Sequence, residues 1–171
     1  VARPNSTVVV VVGESAGGVV AGLDGLANVR AVTDADTVGL AVGRSHSAYV
    51  VHHADPLAEV GAAWAGFFDG TAPTGTLEVA VEAALARLRT DAVTLPDYYV
   101  VLDPDGLADT AKHWWFGVLA GASPNRVVPS AASVGAVRDV LSALAPGRWW
   151  PDPPDEWLHG LARVVPDRAL H

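Results

Sequence analysis

Apolar residues in this chain come in short runs separated by longer stretches of helical period, and that alternation predicts its elements. Val8–Val12 is a β-branched run closed by Gly13, as a strand buried on both faces reads. Val29–Val32, Tyr49–His52, Tyr98–Leu102 and Arg126–Val128 repeat the theme. Between them lie segments with helix punctuation. Asp55 as N-cap, Pro56 at the first helical position, a stripe of Leu57, Val60, Trp64, Phe67 and Phe68, and Gly70 as stop predict one helix. Leu77, Val81, Leu85 and Leu88 mark a second, with Thr74 or Thr76 as its cap. A third is predicted from Asp109 to Gly121 with Trp114, Val118 and Leu119 inward, and a fourth from Ser133 through Val137 and Leu141 to Gly147. The stretches after Ser15 and Asp36 are poorer helix formers, because each glycine there lowers helix propensity by about 1 kcal/mol relative to alanine.

Strands alternating with helices imply right-handed crossovers and a mostly parallel sheet covered on both faces. The predicted class is a three-layer, doubly wound α/β fold of flavodoxin-like or Rossmann-like kind. The end of the chain reads differently: Pro146, Pro151, Pro153 and Pro154 break regular structure, while Trp149, Trp150 and Trp157 carry large apolar area. Residues 146–171 are therefore expected to wrap onto the domain or onto a second copy. With no internal repeat and no flexible divider, residues 1–171 read as one domain.

Half of the 171 residues are hydrophobic and 18% are charged, a balance that supports compact folding. Eleven Lys and Arg against nineteen Asp and Glu leave a net charge of −8, and Lys112 is the only lysine. No basic stripe is available to neutralise phosphates, so nucleic acid is not an expected partner. Without cysteine there is no disulfide or thiolate metal site, and no cofactor is implied. The longest aliphatic run is far below the ~20 residues that span a bilayer, so no membrane segment and a cytoplasmic location are expected.

In an open parallel sheet, ligands bind beyond the carboxyl ends of the strands. There the first predicted strand delivers Gly13, Glu14, Ser15, Ala16, Gly17 and Gly18, the third His52, His53 and Asp55, and the fourth Asp103 and Asp105. Gly13–Gly18 (Gly-Glu-Ser-Ala-Gly-Gly) resembles the nucleophile elbow of the carboxylesterase branch of the α/β-hydrolases. That resemblance implies Ser15 as nucleophile and the amide of Ala16 as an oxyanion donor. One of His52, His53, His113 or His159 would be the base, oriented by Asp103 or Asp105. The family carries several strands ahead of its elbow, whereas twelve residues precede it here. The same segment resembles the Gly-Asp-Ser block of lipase-like hydrolases, with Glu14 replacing the aspartate. The late Asp-x-x-His of that group is missing, since Asp155 to His159 and Asp167 to His171 each have one residue too many. Ser15 as a helix cap is the structural alternative.

Val100–Gly106, with Asp103 and Asp105, resembles the first motif of haloacid-dehalogenase-type phosphatases. The lysine of that family lies far downstream, whereas Lys112 follows Asp105 by seven residues, and helix capping or a turn is the plain account of both carboxylates. His46, His52, His53 and Asp55 are ligand types that zinc or iron accept, but adjacent histidines on a strand point to opposite faces, so no metal ligand set is assigned. Gly13, Glu14, Ala16, Gly17 and Gly18 also form a glycine-rich helix start whose amides suit an anionic ligand, with the charge of Glu14 opposing it. Trp115, Trp149 and Trp150, gathered in one patch, would make a protein interface.

These features favour a small acidic α/β binding or protein-interaction domain with a polar pocket at the strand ends. It would act with a protein partner or as a homodimer through the Trp-rich tail. A small serine hydrolase using Ser15 is the alternative, and a His/Asp metal-binding domain the second alternative.

Overall fold

The structure, a computed structural model, describes residues 5–145, 150–151 and 153–164. Its contacts group into two compact units, one from residues 1–55, 96–105 and 128–148, the other from residues 56–95, 106–127 and 149–171.

The first unit is built on five strands: β1 (Thr7–Val12), β2 (Val29–Val32), β3 (Tyr49–His52), β4 (Tyr98–Leu102) and β5 (Val127–Ser130). They form one parallel sheet in the order β2-β3-β1-β4-β5. Consecutive valines make β1 apolar on both faces, and it occupies the centre. Val9, Val11, Val51, Tyr98, Val100 and Leu102 face Val19, Val20 and Leu23 of the α1 segment (Ala16–Gly22) and Val137 and Leu141 of α7 (Val134–Ala143). On the opposite face Val8, Val32 and Val50 pack against Val42 of α2 (Val38–Arg44). The three-layer, doubly wound α/β plan is thus present. Its strand order differs from the Rossmann order 3-2-1-4-5 and the flavodoxin order 2-1-3-4-5 in placing β3 between β2 and β1.

β5 starts one residue later than the apolar pattern suggests. The Arg126 N–H donates to Ser123 O at 3.3 Å, so the chain is still turning there. Ser133 caps α7 as expected, accepting from the Ala136 N–H at 3.1 Å. That helix ends at Ala143, and Gly147, its expected stop, lies outside the described residues with Pro146 and Trp149.

The β1–β4 pairing begins at a buried carboxylate. Asp97 donates its N–H to Val8 O at 2.8 Å and accepts the Val8 N–H on Oδ2 at 2.7 Å. Asp97→Ala strips that acceptor from a buried amide, a loss of about 1–3 kcal/mol. The thermal midpoint should fall by about 2–12 °C. Asp97→Asn, which keeps a side-chain oxygen, should retain most of the stability; equal midpoints for Asp97→Ala and the parent would show that water replaces the carboxylate.

The second unit is helical. It contains α3 (Ala58–Asp69), α4 (Thr76–Arg89), α5 (Asp109–His113), a π-helix (Trp114–Leu119), α6 (Ala120–Ala122), α8 (Asp155–His159) and a 3-10 turn (Leu161–Arg163). Helix α3 begins at Ala58 with Leu57 as its N-cap residue, not at Asp55. Its buried stripe is Val60, Gly61, Ala63 and Trp64, and Phe67, expected inward, is 47% exposed. Neither Thr74 nor Thr76 caps α4: Gly75 holds that position, and the Thr76 hydroxyl donates to Pro73 O at 2.8 Å.

The predicted helix from Asp109 to Gly121 is divided by the π-helix. Trp114, Val118 and Leu119 are buried as expected. Trp114 and Leu119 lie five residues apart, the i→i+5 repeat of the widened turn. Gly61 admits the indole: a Cβ there would lie 2.7 Å from Trp114 Nε1. Trp64 Nε1 donates to Leu161 O at 3.2 Å, and α8 is pinned to α4 by the pairs Arg89–Asp155 and His159–Glu82. Among the described residues no helix is long and apolar enough to cross a membrane.

Candidate functional site

The chain leaves β1 toward β2 on one side of the sheet and leaves β4 toward β5 on the other, so the carboxyl ends of β1 and β4 flank the topological switch point. Gly13 makes the exit from β1. Its φ is +130°, and a Cβ would lie 3.0 Å from Leu102 Cβ, so glycine alone lets β1 turn out beside β4.

Val10 pairs with His52 on β3 and with Tyr99 on β4, which sets the three side chains in a row on one face. His52 is 4% exposed. Burial, and then the neighbouring His53, lower its pKa to about 4, so the imidazole is uncharged at neutral pH. Its Nδ1 accepts the Ala54 N–H at 3.2 Å, which assigns the proton to Nε2. The buried Tyr99 hydroxyl donates to Asp55 Oδ1 at 2.8 Å. Burial, then the Asp55 charge and this hydrogen bond, push the phenol well above its ordinary range, so it stays a donor.

His53 turns away from His52, as strand alternation requires. Its Nε2 lies 3.2 Å from Thr33 O at the end of β2, and a Cβ on Gly17 would sit 3.8 Å from the same nitrogen. The start of α1 and the ends of β2 and β3 therefore meet around this ring.

Ser15 is exposed at φ −91°, ψ 7°, without the strained backbone of a nucleophile elbow. Among the described residues its hydroxyl makes no hydrogen bond, to an imidazole or to a helix N–H. The Ala16 N–H, the expected oxyanion donor, is directed to Gly13 O at 3.2 Å. The elements of an acyl-transfer relay are thus not joined. Glu14 and Gly18 are exposed at the same turn.

Gly13 and Gly18 also have the glycine spacing of a strand–GxxxxGK[ST]–helix phosphate loop. Val19 and Val20 stand where that loop carries its lysine and its magnesium-binding hydroxyl, and both are buried. The helix begins at Ala16, which leaves no extended loop to wrap a phosphate.

Asp103 closes the other end of the rim. At φ +43° it donates its N–H to Ser130 O at 2.8 Å and accepts the Ala132 N–H on Oδ1 at 3.0 Å, tying β4 to the segment before α7. Asp105 is exposed in the following 3-10 turn (Pro104–Gly106). Both carboxylates stand in turns, and Asp103 is spent on backbone contacts. Among the described residues no group of three or more histidines or carboxylates is placed to hold a metal.

In the helical unit, Trp115 is half-buried edge-on to Trp114 at 6.4 Å, and Trp150 is half-buried against Trp157 at 5.8 Å. His113 ends α5, and His159 is engaged with Glu82. In the sequence Tyr99 reads as strand core, and Asp55 reads both as a helix cap and as one of the polar groups at the end of the third strand. Period-two alternation puts Tyr99 on the face of His52 only once β3 and β4 are known to flank β1. Compared with protein-family models, with curated proteins and with solved structures, the chain matches none.

Proposed function

We propose that this chain is a small binding domain whose ligand site is the carboxyl rim of β1, β3 and β4. It takes a polar small molecule that is neutral or cationic. The observation that carries this reading is the buried polar row beneath that rim: an uncharged His52 at the end of β3, and a hydrogen bond from Tyr99 in β4 up to Asp55 beyond β3, on either side of Val10. Polar groups held ready at such a crevice are what orient a ligand in this fold class. The sign of the ligand follows from the carboxylates of Glu14, Asp55, Asp103 and Asp105, which emerge on this rim on a chain of net charge −8. They repel phosphates and favour hydroxyls and amines. Trp115 and Trp150 support a protein contact, with a partner or a second copy, through the helical unit.

The test is an amide-resolved NMR titration with adenosine, spermidine and glucose 6-phosphate. Saturable shifts with adenosine or spermidine should concentrate at Gly13–Gly18, His52–Asp55 and Asp103, and glucose 6-phosphate should leave them unmoved. A ligand at 100 times its Kd should also add ~2.7 kcal/mol to stability. Silence of those amides toward both adenosine and spermidine would argue against the site. Covalent labelling of Ser15 by a fluorophosphonate would overturn the reading in favour of a hydrolase.

A further inference from the structure

We propose a second site, for an amphiphilic anion, in the cleft between the edge strand β2 and helix α2. This open cleft of about 550 Å³ is lined on its polar side by Arg30, Arg44, His46 and the Ser45–Ser47 turn, and on its apolar side by Val32, Leu40 and Ala41. Its volume falls in the usual range for small-molecule sites.

The sequence puts these groups together by period. Leu40, Ala41 and Arg44 share one face of α2 at helical spacing, while Arg30 and Val32 share one face of β2. The turn that closes the cleft is fixed: Ser45 Oγ accepts the Ser47 N–H at 3.1 Å, and Ser6 Oγ donates to Ser47 O at 2.6 Å. Arg30, Arg44 and His46 are exposed, and among the described residues none makes a hydrogen bond or an ion pair. Among the described residues no carboxylate lines the cleft. The nearest in sequence, Asp36, adjoins the lining residue Thr37 and forms no ion pair among the described residues, and Asp34 accepts the Asp36 N–H in the 3-10 turn that precedes α2.

Two uncompensated guanidiniums beside an apolar wall, on a chain of net charge −8, form a local reversal of sign. Guanidinium forks match the paired oxygens of a phosphate or carboxylate, and Val32, Leu40 and Ala41 offer contact to an apolar body. The ligand class is therefore a phosphate monoester or carboxylate on a ring-sized apolar group. The carboxylate-rich rim selects against these same molecules, so this site stands or falls independently of the rim.

The test is calorimetric titration of the full chain with phenyl phosphate and benzoate, with phenol and inorganic phosphate as controls. One-site binding of phenyl phosphate or benzoate is expected. It should weaken about tenfold in Arg30→Gln and in Arg44→Gln, whose exposed positions leave the fold intact by circular dichroism. It should also weaken as NaCl rises from about 50 to about 300 mM. Phenol and inorganic phosphate, each presenting half of the recognised chemistry, should bind about tenfold less tightly than phenyl phosphate. Three results would overturn the proposal: no saturable binding of either amphiphilic anion, undiminished binding by both arginine variants, or inorganic phosphate binding as tightly as phenyl phosphate.

Discussion

Replacing Trp64 by alanine should lower the thermal midpoint by about 6–20 °C, from a loss of about 3–5 kcal/mol. The indole is fully buried, with Phe68 at 4.9 Å and Trp114 at 5.8 Å between ring centroids. Truncation removes the transfer free energy of the ring and leaves a cavity that neighbouring helices only partly fill. It also takes the donor from Leu161 O, whose hydrogen bond holds the 3-10 turn after α8 in the helical unit. Trp64→Phe separates the contributions: it keeps a buried ring and removes the N–H, so its loss should be the smaller. Melting curves followed by circular dichroism at 222 nm provide the readout. A Trp64→Ala midpoint within about 2 °C of the parent would show that this core does not depend on the ring.

The second large effect is a dependence of stability on pH centred on His52. Its folded pKa of about 4 lies below the 6.5 of an unperturbed histidine, chiefly through burial and then through His53. Between those values the unfolded chain binds the proton and the folded chain does not. Stability from this residue is therefore complete above pH 6.5 and drains away as pH falls toward 4, by on the order of 3 kcal/mol. Below pH 4 both states are protonated and the slope vanishes. Urea unfolding at pH 7, 5.5 and 4.5, compared between the parent and His52→Gln, isolates this linkage, because the remaining groups titrate in both proteins. The stability gap between them should narrow as the solution is acidified. A gap constant across that range would mean that His52 titrates alike in the folded and unfolded chain.

Much of the sheet was legible because its signals are local. A run such as Val8–Val12 has nowhere to go but the middle of a layered fold, and β4 reads as cleanly. Helix interiors were legible for the same reason, whereas their ends depended on contacts the sequence does not announce. Asp55 has every local attribute of an N-cap, yet its carboxylate accepts the Tyr99 hydroxyl from β4, 44 residues away. Helix α3 starts two residues later, with Leu57 in the N-cap position. The π-helix was likewise invisible, since Trp114, Val118 and Leu119 satisfy an ordinary helical stripe well enough to hide the widened turn.

The candidate site was legible as a list of strand ends and not as chemistry. Ser15 and Ala16 match a catalytic turn in composition, but the decisive facts are an ordinary backbone at Ser15 and an Ala16 amide already engaged by Gly13. His52 was picked out as an ionisable group, and its row with Tyr99 followed only from β3 and β4 both pairing with β1. The cationic cleft escaped notice because Arg30, Arg44 and His46 are scattered singly through an acidic chain.

The register that unites Val9–Val12 with Tyr98–Val101 also sets a schedule for biosynthesis. Translation at roughly 5–20 residues per second leaves the valine run waiting several seconds for its β4 neighbour to be made. Throughout that interval a segment of high β propensity and no charge shows an open edge, the kind of surface on which nascent chains cross-associate. Yield of native protein from the ribosome should consequently depend on holding this stretch apart until the centre of the sheet can close.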